Sequence, residues 1–179
     1  MQPTLNTPRL VLRPFTLADS DAVVRLAGER AIAEMTLLVP HPYTKADAVG
    51  WISSHAQAFE SGKGVDWAIA RASDSQIVGA IGAVFSPNHD RAEFGYWIGV
   101  HQWGKGYATE AGRCLVEYCF TDRAQIRVAA HHFARNPASG RVLQKIGLKQ
   151  EGIFPKHVKK WGEYQDCVMY GLLKEDWKP

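Results

Sequence analysis

Gly104 and Gly106, one residue apart in the run Trp103-Gly104-Lys105-Gly106-Tyr107-Ala108-Thr109-Glu110, have the types and spacing that speak first for chemistry. Neither carries a Cβ, so the main chain there can turn sharply and come close to a ligand. The run lies between an apolar, strand-like stretch, Glu93 to Val100, and an amphipathic, helix-like stretch, Ala108 to Phe120. A helix starting there points its unpaired N–H groups and the positive end of its dipole back at the turn. Strand, glycine turn and helix start together make a site for a phosphate or pyrophosphate, and predict a phosphate-bearing cofactor.

Two common phosphate loops fit poorly. Gly99 to Lys105 supplies the first seven positions of a P-loop, but Gly106 stands where the magnesium-binding hydroxyl is needed. A dinucleotide fingerprint needs a third glycine, and Thr109 takes its place. That fingerprint also belongs near the start of a doubly wound sheet, whereas three strand-like runs come first here without helices between them.

The elements that must position the loop follow from pattern and punctuation. Arg9 to Arg13 reads as a strand ended by Pro14. Thr16-Leu17-Ala18-Asp19 has the form of a capping box opening a helix to about Ala27, and Thr44-Lys45-Ala46-Asp47 repeats it. Val49, Ile52, Ala56 and Phe59 then fall at helical spacing. Val65 to Ala72, Ile77 to Phe85 and Arg91 to Val100 read as strands joined by polar turns. After the glycine loop come the helix with Ala111, Leu115, Tyr118 and Cys119, and a strand from Ile126 to His131. A further helix opens at Asn136-Pro137 and closes at Gly147. Glu151 to Val158 and Asp166 to Leu173 are the last strands, with a turn at Lys160-Trp161-Gly162-Glu163. The order β-α-α-β-β-β-α-β-α-β-β predicts an α+β domain spanning 1–179, with about seven strands in a mixed sheet and about four helices.

Composition sets bounds. The chain has 179 residues and a formal charge of +3, which suits a polyanionic cofactor but is too small and dispersed to argue for nucleic acid. Lys156-His157-Val158-Lys159-Lys160 is its longest basic run and reads as an exposed strand face. Cys114, Cys119 and Cys167 lack the spacing of a zinc site or a disulfide framework, so no metal is expected and a reducing cytoplasm is. The first residues hold no apolar leader-like region, and no long uncharged run suits a membrane span.

Four segments together resemble the GNAT superfamily of acetyl-CoA-dependent N-acetyltransferases, in the branch of the ribosomal-protein N-terminal (alanine) acetyltransferases. They are Pro8 to Pro14, Glu93 to Ile98, Trp103 to Ala111, and Asn136 to Ser139 leading to Lys145-Ile146-Gly147-Leu148. The resemblance implies acetyl-CoA as cosubstrate and a primary amine as acceptor, on a small molecule or a protein N-terminus. It implies a sheet whose two central parallel strands splay apart after Ile98, with Gly95 and Gly99 permitting a bulge. The pyrophosphate would rest on the amides of Gly104, Lys105, Gly106, Tyr107, Ala108 and Thr109, with the Thr109 hydroxyl as a further donor. The pantetheine arm would lie along Tyr96 to Val100, with Trp97, Ile98 and Val100 supplying backbone contacts, and Asn136 would bond it from the other side. Asn136 also reads as a plain helix cap, and Lys105 as a solvated loop lysine. Trp103 stands where the family usually has Gln or Arg.

The implied chemistry is attack of an amine on a thioester, which requires a proton acceptor for the ammonium and a proton donor for the thiolate. At neutral pH, deprotonation costs about 4–5 kcal/mol for a lysine and about 1–1.5 kcal/mol for a chain-terminal amine. Glu93 is the first candidate base, or else a structural ion partner; His131 and His132 are others, and as neighbours on a strand only one of them can face the site. Many relatives protonate the thiolate with a Tyr whose position here is Leu143; the ribosomal-protein branch implies Ser139 in that role, although a first-turn Ser can simply bond the backbone. Trp51, Trp67, Trp161 and Tyr164 are candidate walls of the acceptor pocket, and Glu151, Glu163 and Asp166 candidate cation attractors. The net positive charge argues against a strongly basic protein partner. The protein is expected to act as a monomer or homodimer. An acetyl-CoA sensor with little turnover is the alternative reading.

Overall fold

The computed structural model describes residues 1–178, so the last residue of the expected 1–179 span lies outside the described residues. Eight strands form one sheet: β1 (Leu5–Asn6), β2 (Leu10–Pro14), β3 (Gly64–Arg71), β4 (Ile77–Ser86), β5 (Arg91–Ile98), β6 (Arg127–Phe133), β7 (Lys149–Lys160) and β8 (Glu163–Leu173). Their spatial order is β1-β2-β3-β4-β5-β6-β8-β7, antiparallel everywhere except between β5 and β6. The helices are α1 (Ser20–Ala27), α2 (Arg30–Met35), α3 (Lys45–Glu60), α4 (Tyr107–Thr121) and α5 (Pro137–Ile146). The α+β class and mixed sheet match the reading of the sequence. The extra strand and helix are β1, two residues long, and α2, six. Both are too short to leave a periodic pattern.

Local chemistry accounts for the element ends. Thr44 accepts from the Asp47 amide while the Asp47 carboxylate accepts from the Thr44 amide, the reciprocal box expected there. Asn136 Oδ1 accepts from the Ser139 N–H and Pro137 takes the first turn of α5, whose Cap residue Gly147 has φ 113°. The β7–β8 turn at Trp161-Gly162 has positive φ at both residues, as a two-residue hairpin with right-handed twist requires.

The sheet has two covered faces. On one, α4 and α5 bury Ala111, Leu115, Cys119, Phe120, Leu143 and Ile146 against Ile81, Phe85, Phe94, Val128 and Tyr170. Side chains such as Leu115 and Phe120 contribute about 1.5–3 kcal/mol each when fully buried. On the other, α1 to α3 place Val23, Ala27, Ile32, Ala48 and Ile52 against Ala80 and Trp97. The apolar register expected for α3 is shifted. Val49 and Ala56 are exposed, and Ala48, Ile52 and His55 are the buried set. The tip of the β7–β8 hairpin reaches over to this side, where the buried Lys160 ammonium donates to the carbonyls of Leu37 (3.0 Å) and Val39 (2.6 Å) just beyond α2.

Beneath α1, β4 passes β5 closely at Gly79. A Cβ there would overlap the Trp97 carbonyl oxygen and lie 3.1 Å from Ile98 Cα, both fixed backbone. Gly79→Ala is therefore expected to lower stability by about 1–3 kcal/mol. Chemical denaturation reads this directly, and an unchanged midpoint would show that the two strands have room to part.

Candidate active site

Between β5 and β6 the sheet opens. The parallel pairing runs only from Arg91↔Arg127 to Glu93↔Ala129. Beyond it, β5 stays with β4 as far as Ile98, and β6 stays with β8 as far as Phe133. The splay thus begins after Glu93, five residues earlier than the sequence reading placed it. No bulge marks β5, whose register with β4 is unbroken. Each strand follows its antiparallel neighbour, and the twist of the two halves carries them apart without one. The Gly99 N–H turns back to Val78 O (2.9 Å), so by alternation the polar groups of Tyr96 and Ile98 face the gap. There the Ile98 carbonyl accepts the Trp103 indole N–H at 2.6 Å. The residue that departs from the family pattern therefore pins the loop to the strand end.

At the mouth of the gap lies the glycine turn. Gly104 (φ 76°) and Gly106 (φ 81°) both occupy the left-handed region, and Gly106 is the N-cap residue of α4. The helix starts at Tyr107, one residue before the expected Ala108. Among the described residues, the six amides from Gly104 to Thr109 have no intrachain acceptor, and these residues are exposed or half-buried. This run fits an anionic diphosphate through backbone donors alone. The turn is braced from β2: Glu110 accepts from the Thr7 hydroxyl, the Arg9 amide and the Arg9 guanidinium, and Arg9 also donates to Lys105 O at 3.0 Å. These contacts, the Thr7 hydroxyl and Arg9 amide first among the favourable ones, hold the Glu110 carboxyl below its ordinary value against the opposing effect of burial. The Lys105 ammonium bonds Gln102 Oε1 (2.9 Å), as a solvated loop lysine can. The Trp97 and Ile98 side chains pack into opposite cores, so only their backbone faces are available for a ligand.

Deeper in the gap, the Tyr96 hydroxyl and Ser139 Oγ are 2.8 Å apart. Burial pushes the Tyr96 phenol up to about 12, with the Ser139 bond pulling the other way. Sequence reading named Ser139 and passed over Tyr96 as a partner, because 43 residues separate them. Leu143 is 1 % exposed and part of the core, which excludes it from the chemistry. The Asn136 side chain caps α5, satisfying the structural half of its expected role.

Glu93, 53 % exposed, meets His131, 28 % exposed, through Oε1 and Nδ1 at 2.7 Å. The His131 bond is the main influence holding the Glu93 carboxyl below its usual range, against desolvation. His132 lies on the opposite face, buried against Tyr170 and under Gly140, with Nδ1 bonded to Phe133 O. Of the expected pocket walls, Trp67 is fully buried core, stacked edgewise on Tyr118. Trp51 is half-buried, and Trp161 and Tyr164 are exposed. Glu151 is paired with Arg127, and Asp166 accepts the Lys156 amide at a bulge in β7; neither is a free cation attractor.

The groove floor on the α3 side holds two groups that the sequence reading passed over. His55 is 6 % exposed, and among the described residues neither ring nitrogen has a hydrogen-bond partner. Asp66 Oδ2 lies 4.0 Å from His55 Nε2. Burial lowers His55 to about 4 and raises Asp66 to about 6. Asp66 was hidden in an apolar strand run, and His55 in a helix whose buried face was misjudged.

The family description "Acetyltransferase (GNAT) domain" matches residues 9–149. The chain is 30% identical over 175 residues to the uncharacterized N-acetyltransferase YoaA of Bacillus subtilis (strain 168), covering 97% of this chain and 98% of that one. It superposes with TM-score 0.87 and 24% identity on a GNAT-family acetyltransferase from Bacillus anthracis, covering 97% and 99% of the two chains. A similar likeness, TM-score 0.88 at 16% identity over 96% and 98%, joins it to RimL, a ribosomal alpha-N-protein acetyltransferase in complex with coenzyme A. These two likenesses show the fold.

The shifts of His55 and Asp66 act in opposite directions on stability. For His55, the unfolded chain binds a proton near pH 6.5 and the folded one only near 4, so its contribution is lost as pH falls through that window. For Asp66, the folded chain binds the proton near 6 and the unfolded one near 3.8, so stability is lost as pH rises through that window. Asp66→Asn removes only the second effect. It is expected to unfold later than the parent protein at pH 7.5, by about 1–2 kcal/mol once the partial exposure of Asp66 is allowed for, and to gain nothing at pH 4. Urea melts at the two pH values measure this; equal stability at pH 7.5 contradicts it.

Proposed function

The chain belongs to the GNAT acetyltransferase family, and from that premise we propose that it transfers the acetyl group of acetyl-CoA directly to a primary amine, on a protein N-terminus or a small molecule. The observation that carries this reading is the run of six unpaired amides, 104–109, opening onto a gap whose strand edge is unpaired beyond Glu93. The diphosphate of coenzyme A takes the amides, with no metal needed, and the arm adds to the free edge of β5 through Tyr96 and Ile98. Asn136 keeps its side-chain N–H groups for the arm while its oxygen caps α5. The protein acceptor named for RimL supports an α-amine, and the lower cost of deprotonating such an amine points the same way. Three free cysteines fit a reducing, cytoplasmic setting.

The amine nitrogen attacks the thioester carbonyl carbon, the C–S bond breaks, and the thiolate leaves. Glu93, held in its ionised form by the His131 bond, attracts the ammonium, and the proton the amine releases leaves to solvent along the Glu93–His131 pair. Tyr96, pushed to about 12, remains a donor. It occupies the Ser139 oxygen, so the Ser139 proton is free to point at the developing thiolate sulfur.

A hydrogen bond to a charged group contributes about 1.5–3 kcal/mol, or roughly 10- to 100-fold in rate. Ser139→Ala is expected to lower kcat by about that factor. Tyr96→Phe, which only frees the Ser139 hydroxyl to rotate, is expected to lower it less, and the double variant to fall no further than Ser139→Ala. Coenzyme A titrated calorimetrically should bind all three variants as it binds the parent. Full turnover in Ser139→Ala removes it from the mechanism, and the absence of coenzyme A binding by the folded parent overturns the function itself.

A further inference from the structure

One carboxylate on the groove floor has no part in the reaction as derived above. Asp66 on β3 is opposite Gly82 on β4, which is opposite Gly95 on β5, so two successive strands present no side chain beside it. A Cβ at Gly82 would overlap the Asp66 carboxylate, whereas one at Gly95 would meet nothing within 4 Å. The Asp66 side chain therefore lies across Gly82, and the space beyond it, over Gly95, is open. Strands are spaced about 4.8 Å apart, which puts Gly95 a single strand beyond Gly82. Gly95 adjoins Tyr96, and two residues back on the same face is Glu93.

The Asp66 carboxylate, 31 % exposed, accepts no hydrogen bond among the described residues. His55 Nε2 is 4.0 Å from its Oδ2, beyond hydrogen-bond reach. His55 is more than nine-tenths buried, with both ring nitrogens unpartnered among the described residues. Phe15 and Trp51 pack on its ring at 5.5 and 4.5 Å between centroids and give the corner an apolar wall. Buried polar groups are nearly always paired, and the Asp66 carboxylate facing the open floor lacks a donor, with the unpartnered His55 ring buried behind it. A protonated amine on that floor supplies N–H donors to the carboxylate.

We propose that Asp66 and His55 form the subsite that receives the acceptor's reacting ammonium, holding it over Gly95 between Asp66 and Glu93, for amines whose neighbouring atoms are apolar. This rests on the acetyltransferase reading above and deepens it. The displaced pKa values of both groups are in the direction expected of groups that lack their partner in the free protein.

The test uses the full chain, with n-butylammonium and phenethylammonium as probes at pH 7.5. Thermal unfolding should shift upward with either probe in the parent protein, and Asp66→Asn should lose the shift. In steady-state assays with acetyl-CoA and these amines, Asp66→Asn should raise the amine KM by about tenfold or more, the loss expected for a charge-assisted hydrogen bond, while the KM for acetyl-CoA stays within about twofold. Gly95→Val, whose side chain enters open space, should raise the same KM without loss of stability. If Asp66→Asn keeps the parent's probe shift, or the parent shows none, the subsite is wrong. Coenzyme A binding by the parent, measured alongside, separates that outcome from failure of the acetyltransferase reading, since a protein that binds coenzyme A normally yet ignores Asp66 refutes the subsite alone.

Discussion

A sheet cannot part in its middle without leaving main-chain donors and acceptors unpaired, and the arrangement of this site follows from how they are provided for. Backbone polar groups away from water need partners. Once β5 and β6 separate after Glu93 and Ala129, each opening edge needs one. The chain meets that need at one point, where the Trp103 indole N–H bends back to the Ile98 carbonyl. The Tyr96 and Ser139 hydroxyls bridge the gap by side chains alone, which leaves the rest of the β5 edge for a ligand that brings its own hydrogen bonds. The glycine turn extends the logic beyond the sheet with six more unpaired amides, held in place by the Arg9–Glu110 contacts to β2. A long ligand with a diphosphate at one end and an amide-bearing arm at the other answers all of these needs together.

The carboxylates around the groove divide by environment. Glu93 sits beside His131 near solvent and is held in its charged form. Asp66 is recessed, faces an imidazole kept neutral by burial, and is pushed toward its protonated form. Environments that separate the proton affinities of neighbouring groups are a common feature of acid–base sites. Groups left unsatisfied in the free protein weaken it, which is the trade between stability and activity expected where a fold reserves contacts for a ligand.

Much of this was legible in residues whose signal is local. The two glycines of the turn, both capping boxes, the Asn136-Pro137 helix start and the Trp161-Gly162 hairpin each constrain their own backbone, and each stands where the sequence placed it. The loop amides were read from the same local signal, whereas Ser139 was named through the family resemblance and Glu93 as a candidate from its place on the strand. What the sequence hid depends on pairing between distant strands. The point of splay is set by which neighbour each strand follows, the Tyr96–Ser139 bridge spans 43 residues, and Asp66 reads as one polar letter in a buried strand until its register against two glycines is known. The α3 face was misread because Val49 and Ala56 are apolar but exposed while His55 is polar and buried. Hydrophobic pattern cannot find a buried residue that is polar.

Amide hydrogen exchange with and without acetyl-CoA tests the central claim most directly, that backbone groups of an opened sheet and its neighbouring turn hold the cosubstrate. Saturating acetyl-CoA should slow exchange at residues 104–109 and at Tyr96 and Ile98, while Gly99, whose amide is already bonded to Val78, stays as it was. Saturable binding that leaves those amides unprotected, or that protects a different surface, would contradict the account.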